Sequence, residues 1–299
     1  MKASELLDLH VFIALDYSQA EIRILAEMSQ DKLLIHQFNQ PNSDIHSSVG
    51  HTLTGWSVER IKNEKKTRQL VKNMIFAIIY GVARDGLYDY IVTKIRETDG
   101  ENADLTGITK KKIGQLYDAF FVKYVGVARF IDAMREMAET VGYVDSMFGF
   151  RRELRESDET RDTYWLNQAV NTPIQTSAHQ LVLMAMALIG LKPKTYNRLQ
   201  TAISEVHDAL YFRTRLRHLK ETFEQGQELL EKAVVKYAKD KFGVTMKVPL
   251  IAEGEAGFTY GSMVDYYGRP IDEFLDAWRA KHKKVEKESW EKLLPEVLV

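Results

Sequence analysis

The stretch HVFIALDYSQAEIRIL, His10 to Leu25, changes its hydrophobic period part-way along. The β-branched and aromatic residues from Val11 to Leu15 favour a strand, and from Ser18 onward Ile22, Leu25 and Met28 recur at helical spacing. Asp16 is therefore predicted at a strand end, on entry to a helix. A polar, turn-rich stretch, NQPNSDIHSS, follows, and then a long helical pattern over 57–80 that Gly81 is placed to stop. Helices are predicted at 110–123 and 127–140, and GYVDSMFGFRRELRE mixes Val, Phe and Gly in the manner of a short hairpin or loop. Residues 162–191 read as helix broken at Pro173. TAISEVHDALYFRT reads as two short strands around His207 and Asp208, 223–238 as an amphipathic helix, and VPLIAEGEAGF as a further strand. Beyond Met263 the composition shifts to a charged tail.

In that tail Ile271, Phe274, Leu275, Trp278 and Val285 fall on one helical face, followed by Trp290, Leu293 and Leu294. The face is free either to fold back on the domain that precedes it or to dock on a separate polypeptide. In the second case Lys281, Lys283, Lys284 and Lys287 would face solvent or phosphates.

Composition narrows the class. With 299 residues, 45% of them hydrophobic, the chain can build a sizeable core, but a net charge of -1 gives no overall basic signature for nucleic acid. Any such surface must be local. The absence of cysteine excludes disulfides, zinc ribbons and cysteine nucleophiles. The longest apolar run, LVLMAMALIGL, is shorter than the roughly 20 residues of a bilayer span, and Glu5 and Asp8 are wrong for a signal peptide, so no membrane partner is expected.

Two features carry chemistry. Asp16 and Asp208, both at strand ends and far apart in sequence, could converge to hold hard divalent cations for phosphoryl transfer, although a strand-end aspartate can equally be a helix cap. In RQLVKNMIFAIIYG, Arg68, Lys72, Phe76 and Tyr80 are each four residues apart and share one slowly rotating helical stripe. Cations followed by aromatics suit the polyphosphate and then the base of one nucleotide. The same pattern also describes an amphipathic core helix with a solvated basic face.

The ordered set DYSQAEIRILAEMSQD, RQLVKNMIFAIIYG and VHDALYF resembles motifs A, B and C of the family A DNA polymerases, the bacterial DNA polymerase I type. SDIHSSVG, FFVKYVGVARFI, FGFRR and NTPIQTSAHQ resemble minor segments of the same family, and the likeness runs from about Val11 to Ser262. The fold it implies is α+β: a right-hand polymerase with an antiparallel palm sheet and a mostly helical fingers insertion. Palm is expected over 1–35 and 161–263, fingers over 36–160 and a tail over 264–299. The activity it implies is template-directed DNA synthesis from dNTPs on a primer-template, with two magnesium ions, manganese being able to substitute.

Carried over residue by residue, the resemblance makes Asp16, Asp208 and the Tyr17 carbonyl the metal ligands. Lys72 becomes the proton donor to the leaving group. Gln19, His46, Arg68 and Lys72 match phosphate-contacting positions, Phe76 and Tyr80 match residues that pack on the incoming nucleotide, and Glu21 matches the steric gate against a 2′-hydroxyl, hydrogen-bonded to the Tyr80 position. Arg151, Asn171, Gln175 and His207 match positions near the primer terminus and template. The chain departs from the pattern at Ala209, where glutamate usually follows the motif C aspartate, at Ile75 and Ala77 in motif B, and at Asn167 in place of an arginine.

Family members place a thumb, an early palm strand and usually a 3′-5′ exonuclease domain before motif A, and fifteen residues cannot encode these. The sequence is accordingly expected to be either a truncated polymerase or, as the initiating Met1 favours, one half of a split, phage-like polymerase that works with a second polypeptide carrying the thumb and any exonuclease domain, in the cytoplasm, that of the host if phage-encoded. The alternatives are a catalytically weak or inactive polymerase-like subunit and a single-subunit RNA polymerase relative. Glu21 at the sugar gate, where a small residue would be needed, argues against the latter.

Overall fold

A computed structural model describes residues 3–41, 44–154 and 164–282. In chain order the elements are α1 (Ala3–Asp8), β1 (His10–Tyr17), α2 (Ala20–Ser29), α3 (Lys32–Phe38), α4 (Ile45–Thr54), α5 (Val58–Asn63), α6 (Lys65–Ile79), α7 (Arg84–Asp99), α8 (Lys110–Lys123) and α9 (Val125–Val141). There follow β2 (Tyr143–Asp145), β3 (Arg151–Glu153), α10 (Tyr164–Leu191), β4 (Ala202–Val206), β5 (Ala209–Arg215), α11 (Leu219–Glu228), α12 (Val234–Phe242), β6 (Ala252–Gly257), β7 (Val264–Asp265) and α13 (Ile271–Lys281). The fold class is α+β. The chain divides into two compact units, one of residues 1–20, 178–245 and 250–299, the other of 21–177 and 246–249.

The first unit is built on an antiparallel sheet of order β4-β5-β1-β6-β7. β1 is central and alternates: Val11, Ile13, Leu15 and Tyr17 are buried on one face, whereas Asp16 is exposed on the other. The buried face packs on α11. Gly226 makes that approach possible, because a Cβ there would lie 1.9 Å from the Leu15 Cδ1 atom. Leu229–Ala233, between α11 and α12, is one turn of π-helix, and the Tyr17 hydroxyl donates to the Leu230 carbonyl at 2.9 Å. The amphipathic pattern over 223–238 thus resolves into α11, a π turn and α12.

The described part of the tail folds back within this unit. Phe274 and Leu275 of α13 are buried, the Trp278 ring meets Phe258 edge-on at 4.7 Å, and its Nε1 donates to the Ser262 carbonyl at 2.7 Å. Lys281 donates to the Met263 carbonyl. Val285, Trp290, Leu293 and Leu294, with Lys283, Lys284 and Lys287, lie outside the described residues.

The second unit is largely helical and includes the β2-β3 hairpin. Asp31 caps α3 by accepting from the Leu34 amide at 3.0 Å and also accepts from the Gly126 amide at 2.7 Å. A side chain at 126 would meet the Asp31 backbone at 2.6 Å, which is why glycine sits there.

Three expectations need correction. The single helix over 57–80 is two helices, interrupted at Glu64, with Ser57 capping the first through the Arg60 amide. The turn-rich stretch NQPNSDIHSS includes the start of α4, because Asp44 occupies the N-cap position and Ile45 and Val49 supply a buried face. Pro173 does not break α10: the helix runs through it, with Ala169, Val170 and Ile174 fully buried around the proline. Burial there outweighs the roughly 3 kcal/mol that an interior proline costs. By length and composition Trp165–Leu191 could also cross a membrane, but half of it is buried inside the protein, as in a core helix.

Candidate active site

In the first unit, β4 and β5 are joined by a two-residue turn, with Val206 paired to Ala209 and His207 and Asp208 at the tip. His207 adopts φ +57, a left-handed conformation that an ordinary side chain seldom takes and that tight hairpin turns demand. The turn is fastened from two directions. The Asp208 carbonyl accepts from the Tyr17 amide at 3.4 Å, and His179 lies 3.4 Å from the His207 carbonyl and 3.2 Å from Glu205.

Register then brings the carboxylates together. Asp16 is paired with Ala209 on one side and with Glu253 of β6 on the other, so Asp208, next to Ala209, falls beside Asp16. The two aspartate side chains are hydrogen-bonded to each other. Burial, the charge and hydrogen bond of Asp208 and the charge of Glu253 push the Asp16 carboxyl up to about 7, against a smaller opposing effect of the Tyr17 amide. Two crowded carboxylates cannot both ionise cheaply without a cation.

In the second unit, α6 presents Arg68, Lys72 and Phe76, and Tyr80 is its C-cap residue. Arg68 is held by Asp44, with Nε at 3.0 Å and the terminal nitrogen at 3.3 Å from the carboxylate. His46 is buried, its Nδ1 is 3.7 Å from Asp44, and its Nε2 has no hydrogen-bond partner. Burial would raise the Asp44 carboxyl, but the nearby His46 ring, hydrogen bonds from Arg68 and Ser47 and the Arg68 charge hold it far below the usual carboxylate range. Lys72 lies 5.9 Å over the Phe76 ring, and the Phe76 and Tyr80 rings stack with centroids 6.3 Å apart. The helical stripe read from the sequence is real.

Glu21, in the first turn of α2, accepts from Gln175 Nε2 of α10 at 3.1 Å, and the same Gln175 side chain is hydrogen-bonded to Tyr80. Burial and the Glu21 charge raise the Tyr80 phenol. Asn171, one turn before Gln175, has its Oδ1 buried with no hydrogen-bond partner, as does the Oε1 of Gln19, which adopts φ +56. Arg151 sits on β3, paired with Asp145 at 2.8 Å and stacked 3.7 Å over Tyr143.

Residues 6–262 match the family described as DNA polymerase family A. The chain belongs to that family. It is 35% identical over 202 residues to DNA polymerase I of Chloroflexus aurantiacus, covering 67% of this chain and 19% of that protein. It is 29% identical over 254 residues to DNA polymerase I of Caldicellulosiruptor bescii, covering 84% and 27%. The polymerase domain of Pol1 from M. smegmatis, solved in complex with DNA primer-template and dNTP, superposes with a TM-score of 0.67 at 25% identity, over 84% of this chain and 40% of that one. The match thus spans 19% and 27% of the length of the two DNA polymerase I relatives and 40% of the solved polymerase domain.

Asp16, near the end of β1, and Asp208, in the β4–β5 turn, lie side by side, and two carboxylates so placed form a donor set that fits a hard divalent cation. Among the described residues no group of three or more acidic or histidine side chains is spaced to enclose a metal alone. Magnesium does not need such a cage; it is held by one or two carboxylates with substrate phosphates and water.

Two partners of these side chains, one in each unit, went unread in the sequence. Glu253 was hidden because its place beside Asp16 depends on strand register. Asp44 has a local signal, an aspartate immediately before an apolar-periodic run, that marks it as an N-cap; its bond to Arg68 is non-local.

Proposed function

We propose that the chain is the palm-and-fingers portion of a DNA polymerase that transfers deoxynucleotidyl groups from dNTPs to a primer 3′-hydroxyl under direction of a template. The observation that carries this reading is the Asp16–Asp208 pair, one carboxylate near the end of β1 and the other in the adjacent β4–β5 turn, with the Asp16 carboxyl pushed up by burial and by Asp208, in a chain of this family. Asp16 and Asp208, with the Tyr17 carbonyl, would hold two magnesium ions. Bound there, the ions would lower the pKa of the 3′-hydroxyl and neutralise charge on the α-phosphate and the departing pyrophosphate.

The remaining work falls to side chains. Arg68, Lys72, His46 and Gln19 bind the triphosphate, with the unpartnered His46 Nε2 and Gln19 Oε1 supplying polar atoms that a ligand or its water can meet. Lys72, which makes no ion pair among the described residues, gives a proton to the pyrophosphate as the bond to the α-phosphate breaks. Phe76 and Tyr80 pack on the base and sugar. Glu21 fills the space of a 2′-hydroxyl, and the positions near the primer and template are Arg151, Asn171, Gln175 and His207.

Incubating the chain in excess over a primed template with each single dNTP tests the activity. Template-dependent addition of one nucleotide supports it, and addition irrespective of template contradicts it.

A further inference from the structure

Gln175 is assigned by resemblance to the template and primer, yet its amide is engaged with the two residues that flank the sugar of the incoming nucleotide. Nε2 donates to Glu21 Oε1 at 3.1 Å, and the Gln175 side chain is also hydrogen-bonded to Tyr80. Three elements, α2, α6 and α10, are thereby joined at one amide within a single compact unit.

We infer that Gln175 is a positioning residue for sugar selection: it orients the Glu21 carboxylate and the Tyr80 ring as one assembly that rejects a 2′-hydroxyl. This rests on the polymerase reading above.

The physical reason is rotamer freedom. A glutamate has three rotatable bonds, and a gate that works by steric exclusion fails if its carboxylate can swing aside. Placement of Glu21 at the first turn of α2 favours its negative charge but does not fix where the carboxylate points. A charge-assisted hydrogen bond from an amide on a second helix does fix it. Gln175 suits the task because it is neutral and has two N–H donors and an oxygen, so it can serve a carboxylate and a phenol together. It is also carried by α10, whose neighbouring residues Ile174, Ser177 and Ala178 are buried, so its backbone is held by the core.

A template contact and a gate contact make different demands. If Gln175 serves only the template, its loss slows insertion of every nucleotide and leaves the ratio of ribo- to deoxyribonucleotide insertion alone. If it positions Glu21, its loss raises that ratio, and nothing further is gained once Glu21 itself is gone.

The test is single-nucleotide insertion by the full chain in excess over a primed template, with dCTP and CTP compared, for the parent, Gln175→Ala, Gln175→Asn, Glu21→Ala and the Gln175→Ala/Glu21→Ala double variant. Gln175→Ala should raise the ratio of kcat/KM for CTP over dCTP by about tenfold, mainly through a lower KM for CTP. Gln175→Asn, too short to reach Glu21, should behave likewise, and the double variant should match Glu21→Ala. Gln175 is exposed, so the variants are expected to melt with the parent. An unchanged ratio in Gln175→Ala with dCTP insertion measurable, or ratio changes that multiply in the double variant, would overturn the inference while leaving the polymerase reading intact. Absence of template-directed dCTP insertion by the parent would remove both.

Discussion

Asp44 accepts two hydrogen bonds from the Arg68 guanidinium, so the cation that begins the α6 stripe is held by the N-cap residue of α4. The pair is partly exposed on the arginine side, 38% against 16% for the aspartate. It is worth about 1–2 kcal/mol, between the values of surface and buried ion pairs. Asp44→Asn should therefore lower the melting temperature by a few degrees and weaken binding of a fluorescent dNTP analogue several-fold, because Arg68 and His46 lose their shared anchor. If the variant bound the analogue as the parent does, Asp44 would have no part in arranging the phosphate contacts.

The carboxylate pair predicts a pH dependence with a definite sign. The Asp16 carboxyl is raised from its ordinary 3.8 to about 7 in the folded protein, so between those pH values the folded state holds more protons than the unfolded one. Stability of the metal-free protein should fall as pH rises through this window. Asp16→Asn removes the charge and should stabilise the metal-free chain by about 1–2 kcal/mol at pH 8, after discounting for solvent screening at this half-exposed group, and by little at pH 4. Denaturant melts at the two pH values check this. Manganese affinity should rise with pH through about 7, since binding must displace the shared proton.

Gly226 predicts a cost in the core. Gly226→Ala drives a methyl into Leu15 and should destabilise the chain by about 1–3 kcal/mol despite alanine's better helix propensity. Leu15→Val in the same chain should recover part of the loss. Urea titration of the single and double variants would show whether the recovery occurs.

Glu21→Ala should raise ribonucleotide relative to deoxyribonucleotide insertion, since the sugar gate proposed for Glu21 works by a clash and not by a gained contact. Phe76→Tyr should, by family resemblance, relax rejection of dideoxynucleotides. Chain-termination assays read the second effect; no change would mean that the motif B stripe has another use.

What the sequence made legible follows the range of the interactions. β1, α8 and both arms of the β4–β5 hairpin were readable because period-2 or period-3.6 patterning is local, and so was the α6 stripe. α7, at Arg84–Asp99, went unread because its apolar face is thin: only Leu87, Ile91, Val92 and Ile95 are buried. Pro173 misled because its cost is local and the burial that offsets it is not. At the site, Asp16 and Asp208 came from motif order, but their adjacency is a fact of register, and so is the presence of Glu253. The Gln175 bridge joins residues 154 positions apart and leaves no trace in either segment.

The most direct test of the central claim is single-turnover primer extension by Asp16→Asn and Asp208→Asn at saturating magnesium and dNTP, with folding confirmed by melting. Each substitution removes an oxygen charge and spares the core, so both variants should fold at least as well as the parent. Each should lose nucleotide addition by about a thousandfold or more, the scale on which removal of catalytic charge stabilisation acts. Extension by both variants within a few-fold of the parent rate would contradict the account.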